Sequence, residues 1–387
     1  MIELLSNADL YDPAARGPAH LLVAGETLVW IGSVRPDLPA GLGVRETDLG
    51  GRRVIPGLID GHVHLTGGGG EAGPETRVPP VALSRLTIGG VTTAIGVLGT
   101  DDVVRTPAEL VTVARGLVAE GLSAWCHTGG YHVPPATVTG SVRGDLVLVD
   151  RVLGVGELAI SDHRSSQPTL DDLLRVAADA HVGGLMSGKA GIVHLHVGDG
   201  ERGLEPVRQA LAGSELPPRV FNPTHVNRRK ALFEEALDAA QRGCVVDITA
   251  FPVAEGEDAW SADVALARYL DADLPGDRVT VSSDGGGCLP VFDGEGRVAS
   301  MDVGSPSALA GTLRALLAAG RPLAQVLPAF TANPAALLRL ERKGRLAAGA
   351  DADLVVLDRE GGIADVMARG RWHVREGRAV VRGTFDG

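Results

Sequence analysis

Lysine is nearly missing from this sequence. Of its 36 basic residues, only Lys189, Lys230 and Lys343 are lysines, and the rest are arginines. Acidic residues outnumber basic ones and leave a net charge of -12, so there is no broad basic face for nucleic acid. Cysteine is scarce too. Cys126, Cys244 and Cys288 are isolated and odd in number, which excludes a disulfide framework and fits a reducing compartment. Aromatic residues make up 3% of the chain, so the interior must be built from Ala, Val, Leu and Ile. No apolar run approaches the roughly 20 residues of a membrane span. The opening MIELLSNADL lacks the basic region of a signal peptide, so a cytoplasmic location is expected. What is present is globular in character, with 44% apolar and 22% charged residues. A length of 387 residues allows two or three domains, or one large barrel with an appendage.

Both ends of the chain read as β-rich. Leu21–Ala24 and Thr27–Ile31 flank Gly25-Glu26, a plausible hairpin turn. Near the other end, Ala352–Leu357 is a short apolar strand, and Trp372–Val374 and Ala379–Val381 flank Glu376-Gly377. Between the ends the pattern changes. Eight apolar runs (Val54–Leu65, Thr92–Leu98, Ser123–Thr128, Val152–Ile160, Gly191–Val197, Val220–Val226, Val245–Thr249 and Val279–Ser283) alternate with helical runs. The helical runs are Pro107–Glu120, Leu170–Ala180, Leu204–Ala212, Arg229–Arg242, Trp260–Leu270 and Pro306–Ala319. Alternation of this kind is α/β, and eight strands point to a (β/α)8 barrel. A doubly wound sheet is the alternative, but no G-x-G-x-x-G opens a helix after a first strand. The expected division is a small β domain from residues 1–55 and 338–387 and a catalytic barrel over 56–337.

Four histidines and an aspartate fall at strand ends. His62 and His64 stand at i and i+2 in Ile59–Leu65, so in a strand both imidazoles face one way. His196 ends Gly191–His196, His225 follows Val220–Thr224, and Asp284 follows Val279–Ser283. Active sites of (β/α)8 barrels lie at the carboxyl ends of the strands. Four imidazoles and a carboxylate on that rim form the inventory of a metal-dependent hydrolase. His194, two residues before His196, would face inward one layer deeper and reads as structural.

Val54–His64 (VIPGLIDGHVH) and Gly344–Val356 (GRLAAGADADLVV) resemble the first-strand and closing segments of the amidohydrolase superfamily. Within it, the chain is similar along nearly its full length to the isoaspartyl dipeptidases. The stretches that carry the likeness include GGGGEAGP (67–74), VLGTD (97–101), TGGYHVP (128–134), ISDHRS (160–165), PTHVNR (223–228) and SSDG (282–285). The resemblance implies a metallo-dependent hydrolase barrel, two zinc ions, and a homo-octamer. His62 and His64 would bind the more buried metal, and His196 and His225 the second. Asp284 would ligate the first metal and shuttle a proton. Glu71 would recognise the free α-amino group and Tyr131 polarise the scissile carbonyl. Gly69 and Thr100 would line the aspartyl α-carboxylate pocket, and Arg164 and Arg228 hold the carboxylate of the leaving residue.

Two positions depart from the family. Its metals are bridged by a carboxylated lysine, but no lysine precedes Lys189, and the matching place carries Glu157. Glu157 is therefore expected to be a metal ligand, with the site shifted or singly occupied as alternatives. Cys288 stands where the family has a serine beside the substrate. The leading expectation is a metal-dependent dipeptidase that acts on a small acidic β-aspartyl dipeptide. An N-acyl-D-amino-acid deacylase or cyclic-amide hydrolase is the alternative that Glu157 favours. A metal-free scaffold relative is the third.

Overall fold

The computed structural model describes residues 2–292 and 297–386. Five strands come first: β1 (Ile2–Asp12), β2 (Ala14–Ala24), β3 (Thr27–Gly32), β4 (Arg45–Asp48) and β5 (Arg53–Pro56). Gly25, at φ 61°, turns β2 into β3 and sets Ala24 opposite Thr27, as the hairpin reading expects. The barrel strands follow: β6 (Leu58–Val63), β7 (Val91–Gly96), β8 (Ser123–Thr128), β9 (Val152–Ile160), β10 (Ile192–Val197), β11 (Phe221–Thr224), β12 (Val246–Thr249) and β13 (Val279–Ser282). After a hairpin of β14 (Cys288–Phe292) and β15 (Val298–Val303), the chain ends in β16 (Leu354–Leu357), β17 (Ile363–Ala368), β18 (Arg371–Arg375) and β19 (Arg378–Ala379).

The eight apolar runs thus form eight parallel strands. β6 to β11 are one continuous sheet, and β12 and β13 are a parallel pair. Val226 N donates to Asp247 O between β11 and β12, and Val63 bridges to Gly285 beyond β13, so the sheet curls into a barrel. Val, Leu, Ile and Ala fill the space between strands and helices, with Phe221, Phe233, Tyr269 and Phe330 among the few aromatics there. β5 pairs with β1 on one side and β16 on the other, which joins both ends of the chain in a single nine-stranded sheet. Leu5, Leu21, Leu28, Val54, Leu354 and Met367 form its separate core. Among the described residues, no helix is long and apolar enough to cross a membrane.

The helix from Leu170 continues to Ser187, past the expected stop at Ala180. The cause is packing. A Cβ on Gly184 would lie 2.6 Å from Gly191 Cα, so the glycines there serve close approach to β10 rather than a break. The helix Val142–Leu148 and the β14–β15 hairpin have little sequence signal, being short or largely exposed.

Candidate active site

The strand ends bring the expected residues to one place. His62 is on β6, Glu157 on β9 and His196 on β10; His64, His225 and Asp284 lie just beyond β6, β11 and β13. All six are nearly inaccessible to solvent. The Nε2 atoms of His62 and His64 are 3.4 Å apart. Asp284 Oδ1 lies 3.4 Å from the first and 3.2 Å from the second, and Glu157 Oε1 lies 3.6 and 3.3 Å from them. The other Glu157 oxygen, Oε2, is 2.9 Å from His196 Nδ1 and 3.3 Å from His225 Nε2. The glutamate therefore divides its two oxygens between two groups of donors.

This donor set fits divalent cations. A tetrahedral ion with ligand bonds of about 2.0–2.2 Å has donor–donor edges of about 3.3–3.6 Å. The separations around His62, His64, Asp284 and Glu157 Oε1 run from 3.2 to 3.6 Å. Asp284 Oδ1 is also buried with no hydrogen-bond partner. Imidazole and carboxylate donors suit zinc among the common divalent metals.

The electrostatics of the cluster are mutually supporting. Burial alone would raise the Glu157 carboxyl, but the His62 and His196 imidazoles outweigh it and hold the group well below the usual range. Asp284 is likewise held low, against its own burial, by His62 and His64. Both carboxylates are charged. Burial pushes the Tyr131 phenol well above its usual value, so it remains a protonated donor. Its hydroxyl lies 2.9 Å from His196 Nδ1.

The cluster floors a cavity of about 660 Å³ that Gly69, Glu71, Thr100, Tyr131, Arg164, Arg228 and Cys288 also line. Thr100 Oγ1 donates to Glu71 Oε1 at 2.8 Å, and Arg164 approaches the same oxygen at 3.4 Å. Glu71 Oε2 is shielded from solvent and has no hydrogen-bond partner. The Thr100 hydroxyl is thus committed to Glu71. Only glycine fits at position 69, because a Cβ would lie 2.4 Å from Thr76 O. Cys288 is half-buried, and burial, with Glu71 adding to it, pushes its thiol up to about 12. It is a neutral thiol rather than a nucleophile.

Residues 189–373 match the model of the amidohydrolase family. The β-aspartyl dipeptidase of the thermophilic keratin-degrading Fervidobacterium islandicum AW-1, solved in complex with β-Asp-Leu dipeptide, is 42% identical to this chain. The match covers 98% of both chains with a TM-score of 0.91. This chain belongs to the amidohydrolase family. Dihydropyrimidinase from Brevibacillus agri NCHU1002 shares the fold at 18% identity and a TM-score of 0.69, over 99% of this chain and 97% of that one. Imidazolonepropionase of Anaeromyxobacter sp. (strain K) is 29% identical over 385 residues, 87% of this chain and 83% of the relative. Amidohydrolases are metal-dependent hydrolytic enzymes, in keeping with the donor cluster on the barrel rim.

The amidohydrolase's site also holds residues that sequence reasoning passed over. Asp162 accepts from Arg164 at three places, the backbone N at 2.7 Å, Nε at 3.0 Å and NH2 at 2.8 Å, and its Oδ2 lies 2.9 Å from His196 Nε2. It therefore orients both a pocket arginine and a cluster histidine. Its signal was its place in ISDHRS, directly beyond β9. Asp145 anchors the loop that follows Tyr131. It accepts from Val138 N at 2.8 Å and from Thr139 N and Oγ1, both at 2.7 Å. Phe251 and Leu289 add apolar wall to the cavity mouth, which nothing in their local sequence marks.

Proposed function

We propose that this amidohydrolase cleaves β-aspartyl (isoaspartyl) dipeptides, releasing aspartate and the second amino acid, with two zinc ions at the cluster. The observation that carries this reading is Glu71, a carboxylate that lines a cavity floored by a metal-ligand cluster and keeps one oxygen, Oε2, without a hydrogen-bond partner. Such a carboxylate is a receptor for an ammonium group, and an isoaspartyl residue presents its free α-amino group. Arg164 and Arg228 bring guanidinium groups into the same cavity, the donors that a carboxylate of an acidic dipeptide needs in a chain of net charge -12. The likeness to the F. islandicum enzyme supports the same substrate class.

His62, His64 and Asp284 would hold one ion, His196 and His225 the other, and Glu157 would bridge them. Bound there, divalent cations supply the Lewis acidity that brings the pKa of water toward about 7 and polarises an amide carbonyl. The chain's own groups do the rest. Asp284 takes the proton of the attacking water and passes it to the leaving nitrogen as the C–N bond breaks. Tyr131 donates its hydroxyl proton in a hydrogen bond to the carbonyl oxygen as negative charge develops there. Asp162 holds Arg164 in position before substrate arrives, so little side-chain freedom is lost on binding.

The test is release of free aspartate from β-Asp-Leu but not from α-Asp-Leu, by zinc-loaded protein with the metal counted per chain. Equal turnover of both peptides, or of neither, overturns the reading. An N-acyl-amino-acid deacylase is the second reading, favoured by Glu157 in place of lysine. Its substrates have a blocked amine and leave Glu71 without a task.

A further inference from the structure

His194 lies one layer below the rim and takes no part in the proposed reaction. It is 2% exposed and flanked by two other imidazoles: His127 stacks against it with centroids 5.4 Å apart, and His62 Nδ1 lies 2.8 Å from its Nε2. On its far side, Nδ1 lies 2.6 Å from Oδ1 of Asn222, its partner in the β10–β11 register. Asn222 in turn donates through Nδ2 to the backbone carbonyl of Val245 at 2.7 Å.

A carbonyl only accepts, which fixes each hydrogen along the line. Because Val245 O accepts, the Asn222 amide must present NH2 to it and its own oxygen to His194. That oxygen also only accepts, so the His194 proton is on Nδ1. No carboxylate hydrogen-bonds His194 among the described residues, so nothing there holds a second proton, and Nε2 is a lone pair. It accepts from His62 Nδ1. With Nδ1 taken up as a donor in this bond, His62 turns Nε2 toward His64, Glu157 and Asp284, 3.4–3.6 Å away. Two other cluster histidines, His225 and His64, have no such dictation. His225 Nδ1 meets the Thr249 hydroxyl at 2.8 Å, which can donate or accept, and His64 Nδ1 is unpartnered.

We propose that His194 and Asn222 are positioning residues that keep a proton on His62 Nδ1 and fix its ring, so that Nε2 is the nitrogen directed to a divalent cation. This rests on the metal-centre part of the proposed function and not on the identity of the substrate.

The experiment uses the full chain, stripped by chelator and titrated with zinc against a competing chelator, for wild type, His194→Leu and His194→Gln. Glutamine keeps the polarity of the line, because its Oε1 accepts from His62 and its Nε2 donates to Asn222. The expected result is a 10- to 100-fold loss of zinc affinity at one ion for His194→Leu, the range for removing such a supporting partner. His194→Gln stays within about threefold of wild type. Solid-state NMR of the metal-free, ¹⁵N-histidine-labelled protein should show His62 protonated on Nδ1 in wild type and in His194→Gln. If His194→Leu does not fold, Asn222→Leu replaces it, with a loss of about tenfold expected. A purely space-filling role predicts the opposite order, leucine tolerated and glutamine not. That order, unchanged affinity in the leucine variants, or a His62 Nδ1 that carries no proton overturns the proposal. None of these readouts uses a peptide, so failure of the β-Asp-Leu assay leaves them independent.

Discussion

Lys343 lies at the end of the barrel opposite the site, and its replacement by methionine tests how the amidohydrolase's two sheets are joined. The residue is 5% exposed, and its ammonium contacts Asp353 Oδ2 at 2.5 Å, Asp351 Oδ2 at 2.8 Å and Ser123 Oγ at 2.6 Å. Ser123 opens β8 and Asp353 directly precedes β16, so one charge links barrel and nine-stranded sheet. Lys343→Met leaves Asp353, itself 5% exposed, buried without its cation. Removing one partner of a buried pair costs about 3–5 kcal/mol. Asp353 Oδ1 also accepts from Arg369 N at 2.7 Å, a bond that asparagine retains. Asp353→Asn should therefore destabilise the wild type but stabilise the Lys343→Met variant, recovering at least half of the loss. The assay is urea unfolding of all four proteins at matched concentration and saturating zinc, which keeps the metal's contribution constant. Activity per folded, metal-loaded chain should not change. If Asp353→Asn has the same sign and size in both backgrounds, the ion pair is not the source of the cost and the reasoning fails.

Glu71→Gln should lower kcat/KM for β-Asp-Leu about 10- to 100-fold, the value of a hydrogen bond to a charged group. An N-acylated substrate should be indifferent to the change, and unchanged peptide kinetics would favour the deacylase. Arg164→Lys breaks the two-point contact with Asp162 and should raise KM about tenfold or more, with kcat less affected. Steady-state kinetics read this directly, and an unchanged KM removes Arg164 from the substrate. His373 links stability to pH. It is fully buried, and burial with the nearby Arg371 pushes it down to about 4 against the opposing effect of the Gly121 backbone. Its folded value lies below the unfolded one of about 6.5, so the unfolded chain takes the proton first. Stability should fall between about pH 6.5 and pH 4, by up to about 3 kcal/mol. His373→Leu should flatten that part of the curve, and an unaltered slope would count against the assignment.

The barrel could be read from the sequence because each parallel strand is buried on both faces and so appears as a continuous apolar run ended by a polar loop. The metal-ligand candidates were legible for a related reason. All but Glu157 stand at or just beyond the end of such a run, and the barrel gathers strand ends. What lay beyond reading were relationships set by register rather than by local pattern. Asp162 reaches His196 from the end of β9 to the neighbouring β10, and Asn222 reaches His194 only because β10 and β11 pair where they do. Lys343 and Asp353 are near in sequence, but Ser123, which completes the contact, lies 220 residues away from the lysine.

The scarcity of lysine now has a local meaning. Lys189 donates to the carbonyls of Leu146 and Val149, Lys230 sits over the Trp260 ring, and Lys343 is committed to Asp351 and Asp353. None lines the cavity, so no lysine carbamate can join the two donor groups. Glu157 stands between them with one oxygen toward each. A carbamate forms only when carbon dioxide has reacted with a neutral amine, which couples the metal centre to a second small molecule. A glutamate brings its negative charge ready-made, and the surrounding imidazoles keep it ionised despite full burial. With Glu157 as the proposed bridge, assembly of the site would need one step fewer than with a carbamate.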